Sequence, residues 1–339
     1  MEPGLRDFDL LTPHVVLEAV EAAYGLSLDG TVRNYNSYIN RVFGVRDEDG
    51  PEYVVKFYRP RRWSDAAIRE EHAFILDCAA EEIPVVPPMP DEAGDTLQSL
   101  EVSHGSSGEV VEYPFTLFPK RGGRNFDAEG DEQWFRLGSL VGRVHAVGAR
   151  SAARHRQSCD PESWTLPLLQ ELLADDVIHP DSRKEFAGLV EGVAAEITPL
   201  FRGLDFQRLH GDCHRGNLLE RPDEGLLVID FDDMMVGPAV QDLWLLLPGY
   251  VHESSRELTM LLDGYETFAS FDHSSLTLVE PLRFMRMVHF LGWQARQRRD
   301  RDFRDRFPWW GTKEFWMKEI EDLSTQARVI RGESASHDA

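Results

Sequence analysis

The chain has 339 residues, 42% of them hydrophobic and 28% charged, the composition of a folded protein rather than a disordered one. That length is too great for one compact core and fits about two domains. Its 36 basic and 59 acidic side chains leave a formal charge of −23, which argues against duplex nucleic acid or an anionic membrane as the main partner.

Thr12-Pro13 predicts a helix start, with Thr as cap and Pro in the first turn. Val16, Ala19, Val20 and Ala23 then share a face, and Gly25 is the stop. Two β-type runs follow, Tyr38–Val45 and Glu52–Tyr58, joined by the hairpin signal DEDG. A helix is expected from about Ser64 to Ala80, ended by Pro84, and a further strand over Val110–Phe118. The first 120 or so residues therefore read as a small α+β unit. PKRGGRNF, Pro119–Phe126, is the linker candidate, rich in Pro, Gly and charge. Beyond it the pattern turns helical, over Asp131–Val147, Asp181–Phe201, Ala239–Leu247, Glu257–Phe268 and Glu280–Arg298. RQRRDRDFRDR reads as a solvated helix end or loop, and the tail RGESASHDA is expected to fray. The aromatics Trp293, Phe307, Trp309, Trp310, Phe315 and Trp316 read first as core filling and second as a docking patch.

Cys78, Cys159 and Cys213 are odd in number, far apart and without a C-x-x-C, so neither a disulfide framework nor a thiolate zinc site is expected. The start, MEPGLRDFDLL, has no basic region followed by a long apolar one, and no run is long enough to span a membrane. The expected location is the cytoplasm.

The stretch LHGDCHRGNLLERPDEGLLVIDFDD concentrates the chemistry. LLVI is a buried-strand type of run that ends at Asp230, while Asp212 and Asn217 stand five positions apart on the loop before it. Asp and Asn oxygens suit Mg²⁺ better than zinc. Mg²⁺ takes one or two protein oxygens and completes its shell with phosphate and water, so Asn217 plus Asp230 is the right count. Asp212 is then left to accept a proton from an attacking hydroxyl. A zinc site on the neighbours Cys213 and His214 is discounted, because adjacent residues do not easily share a tetrahedral ion. An ordinary acidic turn is the bland alternative. His210 reads as a loop brace and Cys213 as a packed thiol.

The spacing H-x-D-x(4)-N-x(12)-D matches the catalytic loop and metal-binding Asp of the protein-kinase superfamily, in the HGD and DFD form of its aminoglycoside-phosphotransferase-like branch. Such an enzyme needs a strand lysine and a helical Glu. EYVVKFY offers Lys56, which is either a snorkelling edge lysine or a cleft residue. IREEHAFIL offers Glu70 and Glu71, of which Glu71 is the favoured partner and Glu70 is expected to be solvated. No G-x-G-x-x-G occurs; RNYNSYINRVF stands in its place, where Asn34, Asn36 and Ser37 either cap phosphates or form a plain polar turn. The backbone around Phe118 would face the adenine.

NSYINRV, VVKFYRPRRW, EEH, HGDCHRGN, DFDD, GPAVQDLWLLL and EPLRFMRMV occur in this order. Together they resemble the bacterial stress response kinase A family, within the aminoglycoside-phosphotransferase/choline-kinase-like fold, from about Thr12 to Gln326. The resemblance implies an α+β, bilobal, protein-kinase-like fold, with a small β-rich lobe over 1–118, a hinge at 119–123 and a helical catalytic lobe over 124–330. It implies a cytoplasmic, monomeric, ATP- and Mg²⁺-dependent Ser/Thr protein kinase; a phosphotransferase acting on an amino alcohol, sugar or aminoglycoside is the alternative. Carried over by motif, Asp212 is the proton acceptor, Asn217 and Asp230 the magnesium ligands, and Asp230 is catalytic in that role. Ser37, Lys56, Glu71 and Phe118 serve the nucleotide, and Asp242 braces the catalytic loop.

Overall fold

The computed structural model describes residues 8–35, 37, 39–103, 110–221, 224–298 and 300–333. In chain order the elements are α1 (Pro13–Tyr24), β1 (Leu28–Tyr35), β2 (Arg41–Asp47), β3 (Glu52–Phe57), α2 (Asp65–Ala80), β4 (Gln98–Ser103), β5 (Val110–Pro119) and β6 (Arg124–Asn125). Next come α3 (Asp131–Gly148), α4 (Leu166–Ala174), α5 (Pro180–Ile197), β7 (Gln207–Leu209), β8 (Leu218–Arg221), β9 (Gly225–Val228) and β10 (Met235–Gly237). The chain ends in α6 (Val240–Trp244), α7 (Ser255–Tyr265), α8 (Val279–Gln297), α9 (Arg301–Arg306) and α10 (Lys313–Ile330).

These elements pack as two compact units that are not contiguous in sequence. The first comprises residues 1–127, 153–156 and 215–234; the second comprises 128–152, 157–214 and 235–339. The first unit holds an antiparallel five-stranded sheet ordered β1-β2-β3-β5-β4 and a smaller sheet ordered β6-β8-β9. Under the large sheet lies a core of Val16, Val20, Val55, Phe57, Tyr113, Phe115 and Leu117. Phe57 and Phe115 stack across neighbouring strands at 5.0 Å.

The local start and stop signals operate as physical chemistry requires. Thr12 accepts from the Val15 N–H, Ser64 accepts from the Ala67 N–H, and Gly25 closes α1 at φ 65°. The DEDG turn closes β2 onto β3 through Asp47 and Pro51, with Gly50 at φ 107°. Strands β1 and β4 carry no expected run: their outer residues are polar and their burial is shallow, as edge strands allow. Helix α2 stops at Ala80, earlier than Pro84 demands, because Glu82 turns left-handed at φ 53°. The expected strand start at Tyr38 falls outside the described residues; Ile39 and Asn40 form a bend and β2 opens at Arg41.

The second unit is helical, with β7 and β10 as its only short sheet among the described residues. The expected helix over Asp181–Phe201 is α5 followed by a tight 3₁₀ turn at Thr198–Phe201, and the one over Ala239–Leu247 shortens to α6. Helices α4 and α10 go beyond the expected set; FPWWGTKEFW enters α10, capped by Thr312. Its aromatics are core filling: Trp316 is fully buried and donates to Val177 O at 3.1 Å, Trp310 and Phe315 pack edge to face on it, and Phe303 packs edge to face on Trp310. Trp309 alone of the cluster stays half exposed. The expected frayed tail lies outside the described residues from position 334, whereas Arg331 pairs with Glu196 at 2.9 Å.

Helices α3 and α7 approach too closely for side chains. A Cβ on Gly138 would lie 1.9 Å from Leu261 O, and one on Gly264 would lie 2.0 Å from Phe135 O. That contact brings Tyr265 within 3.0 Å of His145 Nδ1, the first link of the chain that steadies the loop at His210. Gly138→Ala is accordingly expected to destabilise by about 1–3 kcal/mol. Gly188→Ala on α5, with open space around it, should be neutral or gain up to about 1 kcal/mol. Urea unfolding of the two variants measures the contrast.

Candidate active site

In the first unit, β3 places Lys56 opposite Val42 on β2 and Thr116 on β5, in the middle of the large sheet. Its side chain is 9% exposed, and its ammonium lies 4.8 Å from the Tyr58 ring on the same face. Three carboxylates surround Nζ: Asp232 at 3.1 Å, Asp230 at 3.3 Å and Glu71 at 3.5 Å. Burial alone would strip the lysine of its proton, but Asp232 and Glu71 more than reverse this, so its pKa stands well above the usual value. Burial pushes the Glu71 carboxyl up, against the pull of Lys56. Glu71 Oε2 has no hydrogen-bond partner among the described residues.

Glu71 and not Glu70 therefore meets the lysine. Glu70 is not a solvated side chain, as expected of it; it accepts the backbone N–H groups of Arg154 and His155 at 2.7 and 2.9 Å. Ser37 sits half-buried between β1 and β2, its carbonyl accepting from Arg41 Nη1 at 3.4 Å; Asn36 lies outside the described residues. Phe118 pairs with Val54 near the end of β5, half-buried.

The long spacing between Asn217 and Asp230 has a simple cause. Strands β8 and β9 form a hairpin in the register Leu218↔Val228 to Arg221↔Gly225, so its two open ends meet. The Ile229 N–H donates to Asn217 O at 3.0 Å, which sets Asp230 one residue from that contact. Asp230 then turns left-handed at φ 63°, a conformation costing an L-residue about 1–2 kcal/mol, and its side chain is 54% exposed.

The two aspartates that follow are engaged by arginines. Arg62 bonds to Asp232 and to Asp233, and Arg156 donates to the carbonyls of Met234, Ala67 and Asp232. The guanidinium of Arg156 lies 4.1 Å over the Trp63 ring and that of Arg62 lies 5.1 Å from it. Asp232 is buried, which would raise its carboxyl, but Arg62, Lys56 and Arg156 hold it well below the usual carboxylate range.

In the second unit, β7 delivers the loop of Asp212. Gly211 adopts φ 83°, which explains the glycine in HGD. Asp242, near the start of α6, binds the backbone on either side: Oδ2 accepts from His210 N at 2.8 Å and Oδ1 from Gly211 N at 2.9 Å. His145 Nε2 lies 2.9 Å from the same Oδ2, and Gln241 donates to Gly211 O at 3.3 Å. His210 braces the turn, its Nδ1 accepting from Asp212 N at 3.3 Å.

The carboxylate of Asp212 is itself bracketed. Arg286 from α8 donates to Oδ1, and His214 Nε2 lies 3.4 Å from Oδ2. Burial would raise this carboxyl; the His214 contact and the Arg286 charge outweigh it and hold the group well below the usual range. Asp212 in turn raises His214. Cys213 is buried and its thiol is pushed up by desolvation, which makes it inert packing. Sequence reasoning misses Asp232, Arg62, Arg156, His214 and Arg286. The doubled acid in DFDD and the basic YRPRRW are the available signals; nothing local marks Arg286 as a partner of Asp212.

The sequence profile of the phosphotransferase enzyme family matches residues 31–278. The chain is 36% identical over 327 residues to Stress response kinase A of Escherichia coli strain K12, covering 96% of this chain and 95% of that one. The chain belongs to the phosphotransferase enzyme family, in its stress response kinase A group. Serine/threonine protein kinase RdoA of Salmonella typhimurium is 35% identical over 97% of both chains. Among solved structures, amicoumacin kinase hAmiN in complex with AMP-PNP, Ca²⁺ and Ami aligns with a TM-score of 0.69 at 20% identity, covering 91% of this chain and 93% of that one. A microcompartment-associated aminopropanol kinase aligns at 0.62 and 17% identity, over 95% and 98%. These two share the fold, and the chain is an ATP-dependent phosphotransferase.

The donor set fits a nucleotide-borne divalent cation. No group of three or more His, Cys, Asp or Glu side chains among the described residues forms a metal cage. Asn217 and Asp230 offer oxygens alone, so a cation there must draw further ligands from phosphate and water. No described helix is long and apolar enough to cross a membrane.

Behind Lys56 sits a neutral histidine. His72 Nε2 meets Tyr58 OH at 3.0 Å, its Nδ1 meets Thr96 Oγ1 at 2.8 Å, and burial pushes its pKa down to about 3. A depressed folded pKa means stability that is complete above the unfolded value of about 6.5 and is lost as pH falls toward about 3. The wild type should lose on the order of 1 kcal/mol per pH unit below about 6.5 relative to His72→Gln. Urea midpoints of both proteins between pH 7 and pH 5 give the comparison, and parallel curves would refute it.

Proposed function

We propose that this chain is a Mg²⁺- and ATP-dependent protein kinase that phosphorylates Ser or Thr hydroxyls. The observation that carries the reading is one buried ammonium, Lys56 Nζ, lying within 3.5 Å of both Glu71 and Asp230. That arrangement joins the side chain that holds phosphates to the carboxylate that holds metal. The name serine/threonine protein kinase on a relative 35% identical supports a protein acceptor.

Lys56, kept in place by Glu71, binds the α- and β-phosphates. Ser37 and the backbone near Phe118 contact the nucleotide. Asn217 and Asp230 hold the cation; bound Mg²⁺ supplies charge neutralisation at the phosphate oxygens. Asp212 orients the acceptor hydroxyl and takes its proton. The acceptor oxygen forms a bond to the γ-phosphorus, the bond from that phosphorus to the β–γ bridging oxygen breaks, and ADP leaves. Residues 1–118 and 124–330 serve as the two lobes, joined at 119–123, in a monomeric cytoplasmic enzyme.

The second reading is a small-molecule phosphotransferase. It is favoured by shared fold with kinases named for amicoumacin, spectinomycin and aminopropanol, and by the charge of −23, which suits a cationic acceptor.

Asp212→Asn should lower transfer by ~10²–10⁴-fold with the nucleotide still bound. Asp230→Ala should lower it at least as far, and Asn217→Ala should raise the Mg²⁺ needed for half-maximal rate. Labelled ATP with the chain and Ser-containing peptides provides the assay. Label on an amino alcohol or aminoglycoside, with none on peptide or chain, would reverse the choice between the readings.

A further inference from the structure

Arg286 is held by fewer hydrogen bonds than Arg156 or Arg283. Arg156 donates to three carbonyls, and Arg283 bonds to Glu280 and Gly249 O while lying 4.9 Å over the Trp244 ring. Arg286 makes one hydrogen bond among the described residues, to Asp212 Oδ1, and its side chain is 28% exposed. A guanidinium carries five N–H donors in a rigid fork. Most of this fork is therefore uncommitted, on a fixed helix, beside the carboxylate that must meet the acceptor.

Arg286 bonds directly to Oδ1, whereas His214, 42% exposed, stands 3.4 Å from Oδ2. An acceptor hydroxyl that displaced His214, the more exposed of these two partners, would take Oδ2. The group next to that hydroxyl then comes within reach of the free donors of Arg286. A carboxylate or phosphate would meet them as a charge-assisted, fork-shaped pair. An ammonium in the same place would face a fixed cation.

We propose that Arg286 is a specificity-determining residue that selects acceptors whose hydroxyl is flanked by an anionic group, a carboxylate or a phosphate. This deepens the protein-kinase reading and rests on it.

The test uses the full chain and peptides of equal length with one Ser, flanked by Glu, phosphoserine, Gln or Lys, beside an aminoglycoside. The expected kcat/KM for either anionic peptide exceeds that for the Lys peptide by about tenfold or more. Arg286→Gln should collapse that ratio toward one, Arg286→Glu should invert it, and Arg286→Lys should keep only part of it, because an ammonium lacks the fork. A ratio taken between acceptors on one preparation cancels any loss of folded protein. Equal use of all peptides by the wild type, or an unchanged ratio in Arg286→Gln, overturns the inference and leaves the kinase reading standing. Label on the aminoglycoside and on no peptide overturns both.

Discussion

An ammonium taken out of water must be given anions or it gives up its proton. Lys56, in the central strand of a sheet, is the place where the first unit meets that requirement. Three carboxylates converge on it from two different segments, Glu71 from α2 and Asp230 and Asp232 from the turn after β9. The sheet, the helix and the hairpin are thereby held in one arrangement. Hydrophobic burial gives the unit its stability, but it does not by itself decide where α2 stands relative to that turn. Removing Lys56 would strand the buried Glu71 carboxylate, a loss that typically costs about 3–5 kcal/mol, so the arrangement tolerates little drift at its centre.

Much of this is legible in the amino-acid sequence. Lys56 is marked by a cation inside a β-rich run, Glu71 by its place on the apolar face of α2, and Asn217 and Asp230 by oxygen chemistry and spacing. The spacing is readable because a hairpin returns a chain to its starting point, so residues thirteen apart can become neighbours. The edge strands are not legible, because one-sided burial of polar residues such as those in LDGTVRNY leaves no strong alternation. The discontinuous packing is equally hidden: residues 153–156 join the first unit through Arg156 and through the backbone N–H groups bound by Glu70, contacts that no local pattern announces.

The loop of Asp212 shows the same division. HGD reads as a turn with a glycine for conformational freedom, and Asp242 as its brace. What local sequence does not carry is the depth of the brace. Tyr265 on α7 touches His145 on α3, His145 touches Asp242, and Asp242 fixes two successive N–H groups of the loop. Each link is buried, so each polar group needs the next. Glycines at the α3–α7 contact let the chain of bonds close, which gives small residues far from Asp212 a hold on the geometry of its loop.

The aspartates of the DFDD turn divide the electrostatic work. Asp230 is half exposed on a left-handed backbone and keeps Oδ1 3.3 Å from Lys56, a placement that suits the metal ligand proposed for it. Asp232 is buried and locked by Arg62, so it stays ionised and serves as the resident counter-ion of Lys56. A lysine held only by Asp230 and Glu71 would lose half that support whenever Asp230 turned to a cation. With Asp232 behind it, the ammonium keeps its proton and its place while Asp230 exchanges partners. In the proposed reaction the second acid of the turn would thus leave the first one free to bind metal, and the arginines around Trp63 hold the second acid in place.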